Sequence, residues 1–207
     1  MSGFDRREFL KLFAATAGCF AITASPFPFA SRLARAHAAP GLYHFPQGLA
    51  SGDPQPDAVM LWTRVEALAG PEAGAPIDLY VQVAEDEAFS RLVVERAVRA
   101  MPETDHTVRV LAGGLKPDST YYYRFFAGSD RSPFAGRTRT APKPGSKRPV
   151  RFAFLCCQNY EQGLYGAYRR LVNDDIAAGP EDRIEFVLHL GDFIYEHTGD
   201  VLEDMTP

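Results

Sequence analysis

The sequence predicts an all-β sandwich followed by the β-α-β start of an α/β domain, with an export leader in front of both. Three observations predict this. A charged, then apolar, then small-residue stretch occupies residues 1–38. Short runs of alternating apolar residues, separated by turn signals, fill residues 42–140. After a linker at 141–149, residues 150–207 change to two buried-strand runs flanking a helical one. The composition allows this plan. The 207 residues are 46% hydrophobic and 23% charged, which excludes a disordered or collagen-like chain. A net charge of -4 argues against nucleic-acid binding.

The leader comes first in the chain. Arg6-Arg7-Glu8-Phe9-Leu10-Lys11 precedes an apolar run from Leu12 to about Ala24, and Ala36-His37-Ala38 supplies a cleavage-like site. Adjacent arginines followed by this phenylalanine, leucine and lysine predict a twin-arginine signal, with the twin-arginine translocase as export partner and a periplasmic or secreted product. The apolar run is too short to span a bilayer, so no transmembrane span is expected in the mature chain. A lipoprotein signal ending at Cys19 is the weaker alternative. The leader carries more basic than acidic residues, so the mature chain is more acidic than the whole. Any phosphate chemistry must therefore rest on a local cation.

Only Cys156 and Cys157 remain after the leader, and they are adjacent. An exported protein normally pairs its cysteines, but neighbours cannot bridge without severe strain. Two readings stand at this point: both are small buried hydrophobes, or one is a metal ligand.

Residues 42–140 supply the strands of the sandwich. Ala58–Val65 is one run. Ile77, Leu79, Val81 and Val83 alternate with polar or aromatic neighbours, as do Val108 and Val110, and then Tyr121, Tyr123 and Phe125. About seven strands at this spacing predict an immunoglobulin or fibronectin type III sandwich. Leu115-Lys116-Pro117 followed by Thr120-Tyr121 has the form of a tyrosine corner, in which Tyr121 or Tyr123 bonds back to the turn. Trp62 is read as core.

In the last segment, Val150–Leu155 and Ile184–Leu190 read as buried strands, and residues 161–178 as the helix between them, stopped at Gly179-Pro180. A right-handed crossover makes the strands parallel. Cys156-Cys157 and Gly191-Asp192 then follow the carboxyl ends of neighbouring strands, about 4.8 Å apart, on the sheet edge where α/β sheets bind ligands. Tyr195 can point back to the same place. A thiolate, a carboxylate and a phenolate so placed repel one another or stay protonated unless a cation joins them.

Leu155-Cys156-Cys157-Gln158, with Leu188-His189-Leu190-Gly191-Asp192-Phe193-Ile194-Tyr195-Glu196-His197, resembles the PhoD-type alkaline phosphatase family. So does Phe45–Pro54 with Val59–Arg64, at the start of the sandwich. The resemblance implies an exported, metal-dependent phosphoric ester hydrolase, acting on phosphomonoesters or phosphodiesters and using ferric iron and calcium. It implies an Ig-like domain at 42–140 and the N-terminal part of a metallophosphoesterase domain at 150–207. Cys157 and Tyr195 would bind Fe3+, and Asp192 would bridge Fe3+ and Ca2+. The general metallophosphoesterase pattern begins Asp-x-His; here Cys157-Gln158-Asn159 stands in its place. Cys156 is read as packing, His189 as structural, and Glu196 and His197 as outer contacts. The implied reaction is hydrolysis by metal-activated water. The further metal ligands of the family, which come from later strands, are not found in these residues. The chain alone is therefore expected to be inactive and monomeric. The alternative is a non-catalytic Ig-like binding module with an incomplete metal site.

Overall fold

The computed structural model describes residues 41–68 and 74–195. The leader, Cys19, Glu196, His197 and the acidic stretch at 200–204 lie outside the described residues. In chain order the first ten strands are β1 (Tyr43–His44), β2 (Leu49–Gly52), β3 (Ala58–Arg64), β4 (Glu66–Ala67), β5 (Ile77–Ala84), β6 (Leu92–Ala100), β7 (Thr107–Gly113), β8 (Thr120–Ala127), β9 (Asp130–Arg131) and β10 (Gly136–Arg139). All their pairings are antiparallel. One sheet runs β2-β3-β7 and the other β10-β8-β5-β6, with β9 on β8; β1 pairs with β4.

The period-two pattern decides which face is buried. Along β8, Tyr121, Tyr123, Phe125 and Ala127 are buried while Tyr122, Arg124 and Phe126 are half-buried on the other side. Val59 and Leu61 of β3, Leu79 and Val81 of β5, and Val110 of β7 meet them in one core shared by both sheets. Fully burying side chains of this size contributes about 1.5–3 kcal/mol each. Trp62 is a correction. It alternates with Leu61 and Thr63, so it faces outward, half-buried, across from Ala50 and Arg109.

Two aromatic side chains fix the edge of this core. The Tyr121 hydroxyl accepts the Lys116 N–H at 2.8 Å, which is the tyrosine-corner bond. Burial pushes the Tyr123 hydroxyl up to about 12, against the hydrogen bond from Ser51. The Tyr123 ring lies over Gly136, where an added Cβ would stand 2.3 Å from it, so only glycine fits under the ring.

Beyond the sandwich, β11 (Phe152–Leu155) and β12 (Phe186–His189) pair in parallel, Phe152 opposite Phe186 and Leu155 opposite His189. The helical region between them is two pieces, α1 (Tyr160–Gly163) and α2 (Gly166–Ala177), rather than the single helix expected over 161–178. Leu164 and Tyr165 break it, with φ of 46° and 52° in the left-handed region. One face of the parallel pair carries Leu155 and His189, and His189 reaches Tyr168 on α2. The opposite face carries Phe152 stacked on Phe186 at 5.3 Å, then Phe154, which is 67% exposed.

Ion pairs join this unit to the sandwich. The Arg137 guanidinium on β10 donates to Asp175 of α2 at 2.7 Å and to the Ile184 carbonyl at 3.1 Å. Arg148 donates twice to Glu185, at 2.7 and 2.6 Å, and lies 2.6 Å from Asp118. Arg139 closes the ring, 2.9 Å from Asp118 and 3.5 Å from Glu185. No helix among the described residues is long and apolar enough to cross a membrane.

Candidate metal centre

The two parallel strands end side by side, and their backbone pairing continues past the strands. Leu190 donates to the Leu155 carbonyl at 2.8 Å, Cys157 to the Gly191 carbonyl at 3.1 Å, and Gln158 to the Asp192 carbonyl at 2.8 Å. This ladder brings the two loops together main chain to main chain. Both loops also turn through unusual backbone. Cys157 has φ of 58° and Asp192 φ of 51°, and Gly191 between strand and carboxylate has φ of 142°. Such positions cost non-glycine residues about 1–2 kcal/mol, and they cluster at functional sites.

The side chains converge on one oxygen. Asp192 Oδ2 accepts the Tyr195 hydroxyl at 2.8 Å and the Cys157 thiol at 3.4 Å. Tyr195 reaches back from an irregular segment, not from a helix. All three predicted residues are exposed, so the cluster opens to solvent. The hydrogen bonds from Tyr195, then from Cys157, hold the Asp192 carboxyl below its ordinary range. Cys157 and Asp192 in turn raise the Tyr195 phenol. For the Cys157 thiol, the bond with Tyr195 pulls downward, but Asp192, Cys156 and burial together leave it raised. At neutral pH the set therefore holds one negative charge and two protons.

That arrangement fits a cation. A metal ion placed among the three groups would replace both protons and relieve the repulsion of thiolate, phenolate and carboxylate. Among the described residues no three His, Cys, Asp or Glu side chains converge; the third donor here is a phenol. Cys156 is a correction: it is exposed, not packed in a core, and neither cysteine is in a disulfide. Phe154 and Leu155 before it occupy a two-stranded sheet too narrow to bury the next residue.

Sequence reasoning did not find Tyr168. It stands on α2, where its spacing reads as an apolar stripe, yet its hydroxyl meets His189 Nε2 at 3.1 Å. Burial, with Tyr165 and Cys156 close by, raises its pKa. A cleft of about 1040 Å³ lies elsewhere, lined by Thr120, Tyr122, Arg137, Leu171, Ile184 and Phe186, and none of the three converging residues borders it.

The profile of the PhoD-like phosphatase N-terminal domain matches residues 31–142, and that of the PhoD-like phosphatase matches residues 152–206. Alkaline phosphatase D of Bacillus subtilis (strain 168) is 37% identical over 212 aligned positions, which cover 94% of this chain and 32% of that protein. A solved structure of PhoD superposes with a TM-score of 0.67 and 39% identity, over 77% of this chain and 30% of that one. A human fibronectin type III domain is far more distant, with 16% identity and a TM-score of 0.35 over 73% of this chain and 94% of that one. The chain thus spans about a third of the length of its phosphatase relatives. With both profiles matched in order along it, the chain belongs to the PhoD-like phosphatase family.

Proposed function

We propose that this sequence encodes the front part of an exported, metal-dependent phosphoric ester hydrolase. In this reading residues 1–38 are a twin-arginine leader, 42–140 an Ig-like domain, 141–149 a linker, and 150–207 the N-terminal part of a metallophosphoesterase domain. The observation that carries it is the meeting of Cys157 and Tyr195 on Asp192 Oδ2. Cys157 and Tyr195 would hold Fe3+, and Asp192 would face both Fe3+ and Ca2+. When bound, such cations supply charge for phosphate oxygens and acidify water. The chain's own part is to present three donors on two loops joined through their backbones and to keep the carboxylate ionised. Phosphomonoesters and phosphodiesters are both within this reading.

The reading also holds that these residues are monomeric and insufficient for turnover. Among the described residues one face of the parallel pair is open, with Phe152, Phe154 and Leu188 exposed. The test is an aryl phosphate assay on the purified chain with iron and calcium, beside a metal-uptake measurement. Uptake without turnover is the expected result, with uptake at least tenfold weaker in C157S and D192N. Robust turnover would overturn the claim of insufficiency. Absence of uptake would favour a non-catalytic Ig-like module.

A further inference from the structure

His189 stands between α2 and the Gly191–Asp192 turn, and the three converging donors leave it without a role. Its ring bonds in two directions. The Gly191 N–H donates to Nδ1 at 3.4 Å, and Nε2 lies 3.1 Å from the Tyr168 hydroxyl. Because Nδ1 accepts, the neutral ring carries its proton on Nε2 and donates it to the Tyr168 oxygen. Phe193 packs edge-on against the imidazole, 4.9 Å between centroids. On the far side Tyr168 meets Tyr165 edge to face at 5.6 Å, and Tyr165 meets Tyr160 at 5.1 Å. A continuous run of rings therefore crosses from α1 over α2 to the turn. The peptide it reaches is a sensitive one. Gly191 has φ of 142°, and its carbonyl accepts the Cys157 N–H. Gly191 is thus held at its N–H by His189 and at its carbonyl by Cys157, so a shift of this residue displaces the backbone beside the thiol and beside the carboxylate.

We propose that His189 is a positioning residue: Nδ1 fixes the Gly191 peptide and Nε2 ties it to Tyr168 on α2, so that Cys157 and Asp192 keep one spacing. What that spacing is for rests on the metal-centre reading above; the positioning itself does not. Three substitutions in the full chain separate the parts. H189N keeps an acceptor near the place of Nδ1. H189F keeps a ring against Phe193 and removes both nitrogens. Y168F removes one hydroxyl.

Amide hydrogen exchange, measured without metal, reads the turn directly. Exchange at Gly191 and Cys157 is expected to rise about fivefold in H189F, from the loss of one hydrogen bond. It should return close to wild type in H189N and rise by less in Y168F. Unchanged exchange in H189F, or an equal rise in H189N, overturns the proposal, because a ring that merely fills space is satisfied by phenylalanine. Should H189F not fold, Y168F decides: unchanged exchange at Gly191 overturns the tie to α2. In a second arm, ferric ion is titrated into the same proteins and followed by the visible absorption of iron–thiolate and iron–phenolate bonds. Uptake should weaken about tenfold or more in H189F and recover in H189N. A wild-type chain that takes up no iron, with the exchange differences intact, sinks the metal-centre reading and leaves the positioning role standing. Iron uptake without exchange differences does the reverse.

Discussion

The Tyr121 hydroxyl sits at the most constrained point of the sandwich, fully buried and holding the Lys116 amide. Its neighbour Thr140 works on the same turn, donating to the Lys116 carbonyl at 2.7 Å and accepting from Ser119 N at 3.0 Å. Replacing Tyr121 by phenylalanine keeps the ring and orphans the Lys116 N–H. The expected loss is about 1–3 kcal/mol, read from urea unfolding midpoints. Residues of this kind are legible because the turn has its own signature, Leu115 and Pro117 ahead of the tyrosine. Cys157, Asp192 and Tyr195 were legible for a different reason: two neighbouring parallel strands must deliver the loops at their carboxyl ends to one edge. Tyr168 was not, because a tyrosine at helical spacing carries no mark of the hydroxyl's partner. Nor was the exposure of Cys156, which directly follows the last residue of β11.

Among the elements, β1 is held by an unusual device. The Asp130 carboxylate, at the end of the β8–β9 hairpin, accepts the backbone N–H groups of Gly41, Leu42 and Tyr43 at 2.7, 2.9 and 2.9 Å. A two-residue strand has little pairing of its own, so this clip supplies much of what holds β1 in place. D130A is expected to raise amide exchange at residues 41–44 about tenfold or more while leaving β3 and β8 protected. Equal protection in both proteins would show that the β1–β4 pairing suffices. The long central strands were readable from period two alone. β6 was missed because Leu92–Ala100 is an edge strand, exposed along most of its length, and shows no clean alternation. The break between α1 and α2 was missed because Leu164 and Tyr165 do not themselves stop a helix; the signal lay in the flanking Gly163 and Gly166, and the rings of Tyr160, Tyr165 and Tyr168 pack together across the break.

For the whole molecule, the ring of Arg148, Glu185, Arg139 and Asp118 governs how the parallel unit meets the sandwich. Arg148 hydrogen bonding holds Glu185 below its ordinary value of 4.5. Burial pushes Asp118 upward, yet Arg139 and Arg148 still hold it low. A carboxyl whose folded value is depressed stabilises fully above its unfolded value and loses that contribution as pH falls through the folded one. E185Q should therefore be less stable than wild type at pH 7, by about 1–2 kcal/mol. The gap should shrink as pH falls below 4.5. Thermal unfolding across a pH series checks this, and a gap that stays constant into acid would show that the ring contributes nothing through charge. None of these pairs was legible in the sequence, since the partners lie between 21 and 46 positions apart and on different elements.

The ladder joining the two loops has a consequence for descent. Cys157 and Asp192 are fixed by peptide groups, and peptide groups are the same whatever side chain they carry. A lineage can therefore exchange the donor at position 157 without rebuilding the sheet. The left-handed backbone there even favours aspartate over cysteine. A thiol at φ of 58° therefore carries a conformational cost that aspartate at the same position would carry to a smaller extent.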